Sequence, residues 1–120
     1  MILLDTNIFI YLSKGILARD TVANTDIAHA SITKIEALGF TTIPANELLL
    51  LEALFAESYG LSLTDAVVEG AIKLRQRKRM SLGDSIIAAT ALENELTLWT
   101  ANVDDFGHID DLDMLNPLNA

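Results

Sequence analysis

The chain contains no cysteine, so neither a disulfide nor a thiolate metal site is open to it. Its two histidines, His29 and His108, make no pair suited to act as a base, which leaves a serine or cysteine triad unsupported. His29 reads as a structural residue of a strand, and His108 as a surface loop residue. Glycine-rich phosphate loops of the GxGxxG or GxxxxGK[ST] kind are absent, so nucleotide binding by those routes has no support. Only two residues are proline and 51% are hydrophobic, a composition that argues against disorder. No apolar run approaches the roughly 20 residues needed to cross a bilayer. Met1 leads straight into Ile2-Leu3-Leu4-Asp5 rather than into a basic segment and an apolar signal core. The expectation is a cytoplasmic protein with one domain over residues 1–120, long enough to build a proper core.

Basic residues are also scarce. Eight lysines and arginines face seventeen acids, for a net charge of −9. Taken alone, that balance argues against nucleic acid, whose phosphates dominate affinity. The distribution matters more than the sum. Five of the eight cations fall in Lys73, Arg75, Arg77, Lys78 and Arg79, leaving the remainder strongly acidic. That stripe reads either as a solvated helix end that suits the C-terminal dipole or as a contact for phosphates.

The apolar run Met1–Leu4 reads as a buried strand. Asp5-Thr6-Asn7 then offers three good helix caps before a helix over Ile8–Lys14 that Gly15 ends. Arg19–Asp26 is polar, a loop or short helix. Ile27–Ser31 is a second strand candidate. Thr33 and Glu36 fit a capping box opening a short helix that Gly39 stops. Thr41–Ile43 reads as a short third strand closed by Pro44. Asn46 is expected to cap a helix over Glu47–Ala56 that is apolar nearly all round, hence well buried or part of an interface. Gly60 ends that pattern. Thr64 or Asp65 caps the next helix, which carries Val67, Val68, Ala71, Ile72 and Leu74 and runs into the basic stripe. Ser81 caps a helix over Leu82–Glu95 with Asp84 in its first turn and small residues behind it. Leu96–Thr100 is a strand, Asn102–Phe106 a polar turn, and Leu112–Leu115 a weak last strand. Strands alternating with helices predict an α/β domain with a mostly parallel sheet and right-handed crossovers.

In open α/β sheets, sites lie beyond the carboxyl ends of the strands. Asp5 ends the first strand, Glu36 follows the second, and Asn102, Asp104 and Asp105 follow the Trp99 strand. Asp84 begins the helix before that strand, and connectivity alone is expected to leave it at the opposite edge. Each acid has a plain reading. Asp5 can be an N-cap, Glu36 the acid of a capping box, Asp84 a complement to its helix dipole, and Asp104 and Asp105 turn residues. Together these readings weaken. Charge among apolar flanks is costly unless paired or metal-bound, and clustered carboxylates repel one another unless a divalent cation intervenes. Oxygen-only donors point to Mg²⁺ or Mn²⁺ rather than Zn²⁺.

Four stretches in order resemble the PIN-domain ribonucleases, specifically the VapC-type toxins of toxin–antitoxin pairs. They are Leu3-Leu4-Asp5-Thr6-Asn7, Ser31-Ile32-Thr33-Lys34-Ile35-Glu36, Leu82-Gly83-Asp84 through Ala91, and Leu98-Trp99-Thr100-Ala101-Asn102 with Asp105-Phe106. The resemblance implies a three-layer α/β/α domain with an acidic pocket in which Asp5, Glu36 and Asp84 bind metal. It also implies that the Asp84 helix is placed so that its acid reaches the pocket. It makes Thr6 the hydroxyl that orients a reacting water and Asn7 a polar neighbour. The fourth acidic position of the family is filled here by Asn102, a weaker neutral ligand, with Asp104 or Asp105 available to compensate. The implied activity is Mg²⁺-dependent hydrolysis of RNA phosphodiester bonds, with flanking phosphates meeting Arg75, Arg77, Lys78 and Arg79. The implied partners are RNA, a cognate antitoxin and a second toxin copy, with the apolar helices between Leu48 and Leu74 as the surface for a protein partner.

Two rivals are weaker. A phosphoacceptor receiver module is also acidic and binds Mg²⁺, but it needs two adjacent acids after strand one and a lysine after strand five. Here Asp5 stands alone and no lysine follows Lys78. A non-catalytic scaffold of the same shape would not need the intact set Asp5, Glu36 and Asp84.

Overall fold

The alternation of apolar runs with amphipathic segments produces five strands and six α-helices in the computed structural model, which describes residues 1–119. The strands are β1 (Ile2–Leu4), β2 (Ile27–Ala30), β3 (Tyr59–Leu61), β4 (Thr97–Trp99) and β5 (Met114–Leu115). They lie in the order β3-β2-β1-β4-β5, and every pairing is parallel. The period of two sorts their side chains between two cores. Leu3, Ala28, Ala30 and Leu98 face one side. There they meet Val67, Ala71 and Leu74 of α4 (Asp65–Arg77) and Ile87, Ala88 and Ala91 of α5 (Leu82–Glu93). Leu4 and Ile27 face the other side, against Ile8, Phe9 and Leu12 of α1 (Thr6–Lys14) and Leu51, Leu54 and Phe55 of α3 (Ala45–Glu57). The result is a three-layer α/β/α domain. Helix α2 (Ser31–Leu38) begins directly at the end of β2 and touches α1, α3 and α5, so it lies across the carboxyl edge of the sheet.

The third strand is not where the local pattern suggested. Thr41–Ile43 forms no strand, and the chain passes through it into α3. The strand is Tyr59–Leu61, in register with Ala28, His29 and Ala30. Gly60, which read as a terminator, sits within it. A Cβ at Gly60 would come 3.3 Å from Nε2 of His29, so the glycine answers a close approach rather than a chain reversal. His29 is structural, as expected. Its Nδ1 is 2.8 Å from the Ser58 hydroxyl, and its ring meets Phe9 and Phe55 edge-on. His108 departs from a surface reading, because both of its ring nitrogens are buried and have no hydrogen-bond partner among the described residues.

Three helix starts also differ. Helix α1 begins at Thr6, with Asp5 as its N-cap. Helix α2 begins at Ser31, so Thr33 is no cap but lies buried inside the helix. Helix α3 begins at Ala45 after Pro44, without a side-chain cap. Asn102–Phe106 is more than a turn, since Val103–Phe106 forms α6. Gly15, Thr64 and Ser81 cap their helices as the sequence predicts.

The most consequential correction concerns Asp84. A helix that feeds a parallel strand must run against the sheet, so its N-terminus lies at the carboxyl edge. Helix α5 feeds β4, and Asp84 in its first turn therefore arrives at the same edge as Asp5. The reversed element is α4. The short connection between α4 and α5 makes them antiparallel neighbours. Thr64 and Val67 lie beside Glu93 and Asn94 at one end, and Arg75 and Gln76 beside Leu82 and Ser85 at the other. This hairpin brings the basic end of α4 to the start of α5. Ala88, Ala89 and Ala91 are fully or almost fully buried and leave little room behind Asp84. Ala88→Leu is expected to overpack this face and lower stability by roughly 1–3 kcal/mol, measurable as a reduced urea midpoint.

Candidate active site

The strand order reverses direction beside β1, because the chain moves outward through β2 and β3 and then returns to β4 on the other side of β1. Such a switch point opens a crevice outside the carboxyl ends of the strands. Asp5 and Thr100 lie at the ends of β1 and β4, and the Asp5 backbone N–H donates to the Trp99 carbonyl at 2.9 Å.

Asp5 is only 5% exposed. Its Oδ1 accepts the Thr6 backbone N–H at 2.8 Å, and its Oδ2 accepts the Thr100 hydroxyl at 2.7 Å. Burial pushes its pKa above 3.8, those two donors pull it down, and Asp84 and Glu36 push it up again. Asp84 is half-buried, and its backbone N–H donates to the Ser81 Oγ at 3.1 Å. Burial raises its pKa too, the Ser81 hydroxyl lowers it, and Asp105 and Glu36 raise it further. These mutual effects place Asp5, Glu36, Asp84 and Asp105 in one electrostatic neighbourhood.

Glu36 reaches that neighbourhood from α2. Its Oε1 accepts the Thr6 hydroxyl at 2.7 Å, and the Thr6 and Thr33 hydroxyls are 3.2 Å apart. A hydroxyl has one proton to give. The short contact to the carboxylate takes that of Thr6, so Thr6 orients Glu36. Asn7 is half-buried in the first turn of α1. Asn102 is exposed, and its backbone N–H donates to the Thr100 hydroxyl at 3.0 Å. Asp104 is exposed as well, and of the adjacent pair it is Asp105 that acts on Asp84. Arg77, Lys78 and Arg79 are exposed and form no ion pair among the described residues, where Lys14–Glu47 is the single one. Arg75 is exposed but has its Nε turned to the Met80 carbonyl at 3.3 Å.

Thr100 and Thr33 escaped the reading of isolated motifs. Both are fully buried hydroxyls. The available signal was a hydroxyl directly after an apolar strand for Thr100, and one three residues before Glu36 for Thr33.

The donor set suits a hard divalent cation, since it is all oxygen and its carboxylates disfavour one another's charge. Among the described residues, no group of three acidic or histidine side chains is gathered closely enough to hold an ion unaided. The fit is therefore one of donor chemistry. It suits Mg²⁺, which commonly keeps several waters and takes one or two carboxylates together with substrate phosphate oxygens.

Comparison with known proteins bears on the fold and the family. The chain is similar to a toxin–antitoxin complex from Klebsiella pneumoniae, at 26% identity and a TM-score of 0.74 over 98% of both chains. It is similar to VapBC-1 from nontypeable Haemophilus influenzae, at 28% identity and a TM-score of 0.75 over 98% of both chains. VapBC2 from Rickettsia felis, bound to a DNA fragment from its promoter, shares the fold at a TM-score of 0.81 and 22% identity, over 97% of this chain and 98% of that one. No curated protein matches in sequence. The family model of the PIN domain spans residues 2–112, from the strand that delivers Asp5 to beyond Asp105, and on that match the chain belongs to the PIN domain family.

Proposed function

We propose that the chain is the toxin of a type II toxin–antitoxin pair, a Mg²⁺-dependent endoribonuclease neutralised by a cognate antitoxin. The observation that carries this reading is the convergence of Asp5, Glu36 and Asp84 at the switch point, with Thr6 donating to Glu36 across it. Membership of a nuclease family and likeness to toxin–antitoxin complexes support it.

Asp5 and Asp84 would hold Mg²⁺, with Glu36 beside them and Mn²⁺ as a substitute. When bound, the ion supplies a Lewis acid that makes water a better nucleophile and stabilises charge building at phosphorus. The protein's own groups do the rest. Thr100 fixes Asp5, Thr6 fixes Glu36, and the exposed Arg77, Lys78 and Arg79 at the α4–α5 turn take the phosphates flanking the scissile bond. The concentration of cations at that turn lets a chain of net charge −9 approach RNA. An apolar groove of about 500 Å³ between α4 and α5, with Leu63, Val68, Ile72 and Leu82 exposed along it, suits a protein partner such as the antitoxin or a second copy.

The test is RNA cleavage by the purified chain with Mg²⁺, with Mn²⁺ and with chelator, beside Asp84→Asn, followed by mapping of cleaved ends in expressing cells. Cleavage should require the ion and vanish in the variant, and co-expression of the neighbouring small gene product should rescue growth. Undiminished cleavage by Asp84→Asn would refute the assignment. The lack of a closed three-acid cage among the described residues favours one other reading, a non-catalytic scaffold, which predicts that Mg²⁺ leaves the melting temperature unchanged.

A further inference from the structure

Gly83 occupies the first turn of α5, where alanine would be the better helix former. Its surroundings explain the choice. A Cβ built on Gly83 would lie 2.8 Å from Oε2 of Glu36, with Cδ at 3.5 Å and Oε1 at 3.6 Å. The first of these is far inside van der Waals contact. Among the described residues outside α5's own backbone and the adjoining positions, the three nearest atoms all belong to Glu36. The same carboxylate is held through its other oxygen by the Thr6 hydroxyl, 2.7 Å from Oε1. Glu36 thus lies between Thr6 on α1 and the bare backbone of α5, one residue from Asp84 and near the positive end of that helix.

We propose that Gly83 is a positioning residue, the missing Cβ being what allows the Glu36 carboxylate to rest against the start of α5 beside Asp84. The inference rests on the metal-dependent reading of the site, and it adds a residue that never touches ion or substrate. The clashing atom is the far end of a flexible side chain. An alanine here would therefore leave the fold intact and displace the carboxylate from Thr6. That outcome separates positioning from a structural role, because helix propensity by itself predicts only a more stable protein.

The experiment is a cycle of Gly83→Ala, Glu36→Ala and the double variant, read by thermal melting without metal and by calorimetric titration with Mn²⁺. In the Glu36→Ala background, Gly83→Ala should raise the melting temperature by about 3 °C, the ordinary gain from helix propensity. With Glu36 present the gain should be largely lost, because the displaced carboxylate forfeits its bond to Thr6. Mn²⁺ affinity should fall about tenfold in Gly83→Ala, the scale of losing a group that orients a ligand. It should not fall further when Gly83→Ala is added to Glu36→Ala. Equal melting shifts in both backgrounds would overturn the proposal. A wild-type protein that takes up no Mn²⁺ would instead overturn the metal-dependent reading, while the melting cycle still decides whether Gly83 positions Glu36.

Discussion

Asp5→Asn should remove RNA cleavage almost entirely while leaving the metal-free fold about as stable as before. The loss follows from the charge. An amide is a poor ligand for a hard cation, and forfeiting several kcal/mol of transition-state stabilisation lowers the rate by about 10³-fold. The retained stability follows from the burial. The carboxylate is 5% exposed and faces two other acids, so its charge is costly in the absence of metal. Asparagine has the same shape and still accepts the Thr6 N–H. The two effects are separable by measuring cleavage with Mg²⁺ and chemical unfolding with chelator on the same preparation. A large loss of stability would show that the charge of Asp5 supports the fold, contrary to this account.

The pH dependence follows from the same groups. Asp5 and Asp84 both titrate above 3.8, so the metal-free native state holds their protons more tightly than the unfolded chain does. The stability contributed by those protons is fully present below the ordinary value and is lost as pH rises through the raised values. Metal-free wild-type protein should therefore lose stability relative to Asp5→Asn as the pH is raised from that value toward neutrality. Adding Mg²⁺ should restore stability toward neutral pH and do little at acid pH, where protons compete for the same oxygens. Unfolding midpoints of the two proteins across pH, with and without Mg²⁺, provide the check.

Thr100→Val should be the most damaging change outside the carboxylates. Thr100 is fully buried, donates to Asp5 at 2.7 Å and accepts the Asn102 N–H at 3.0 Å. Valine keeps the volume and removes both bonds. A buried carboxylate oxygen and a backbone N–H are left without partners, at a cost of roughly 1–3 kcal/mol for each group not reached by water. Asp5 also loses one of the two donors that hold its pKa down, and its orientation is released. Cleavage should fall about 10- to 100-fold, the usual scale for losing a group that orients a metal ligand. Thr100→Ser, which keeps the hydroxyl, should recover most of both losses. If valine and serine behaved alike in stability and rate, the hydroxyl would have no role at the site.

Much of this site was legible in the chain itself. Asp5 closing an apolar run, Asp84 after a serine cap and the cations at residues 73–79 are local features, and local chemistry determines them. The alternation of strands and helices was enough to specify a parallel α/β sheet. The third strand was not legible, because Tyr59-Gly60-Leu61 has little strand character and is recruited by pairing with β2. A pairing partner 31 residues away leaves no mark on a local pattern.

What the sequence determined by itself was the inventory: which acids exist, which segments are helical, and which donors are absent. What the tertiary structure decided was their meeting. The parallel placing of β4 beside β1 fixed the direction of α5 and so brought Asp84 to the edge where β1 ends. Direct entry from β2 into α2 turned the expected cap Thr33 into a buried hydroxyl and aimed Glu36 at Thr6. Packing of α2 against α5 gave Gly83 its meaning. Each of these depends on the relative orientation of elements far apart in sequence. That orientation is fixed by burial of two apolar faces of one sheet, a property of the whole chain that no short stretch contains.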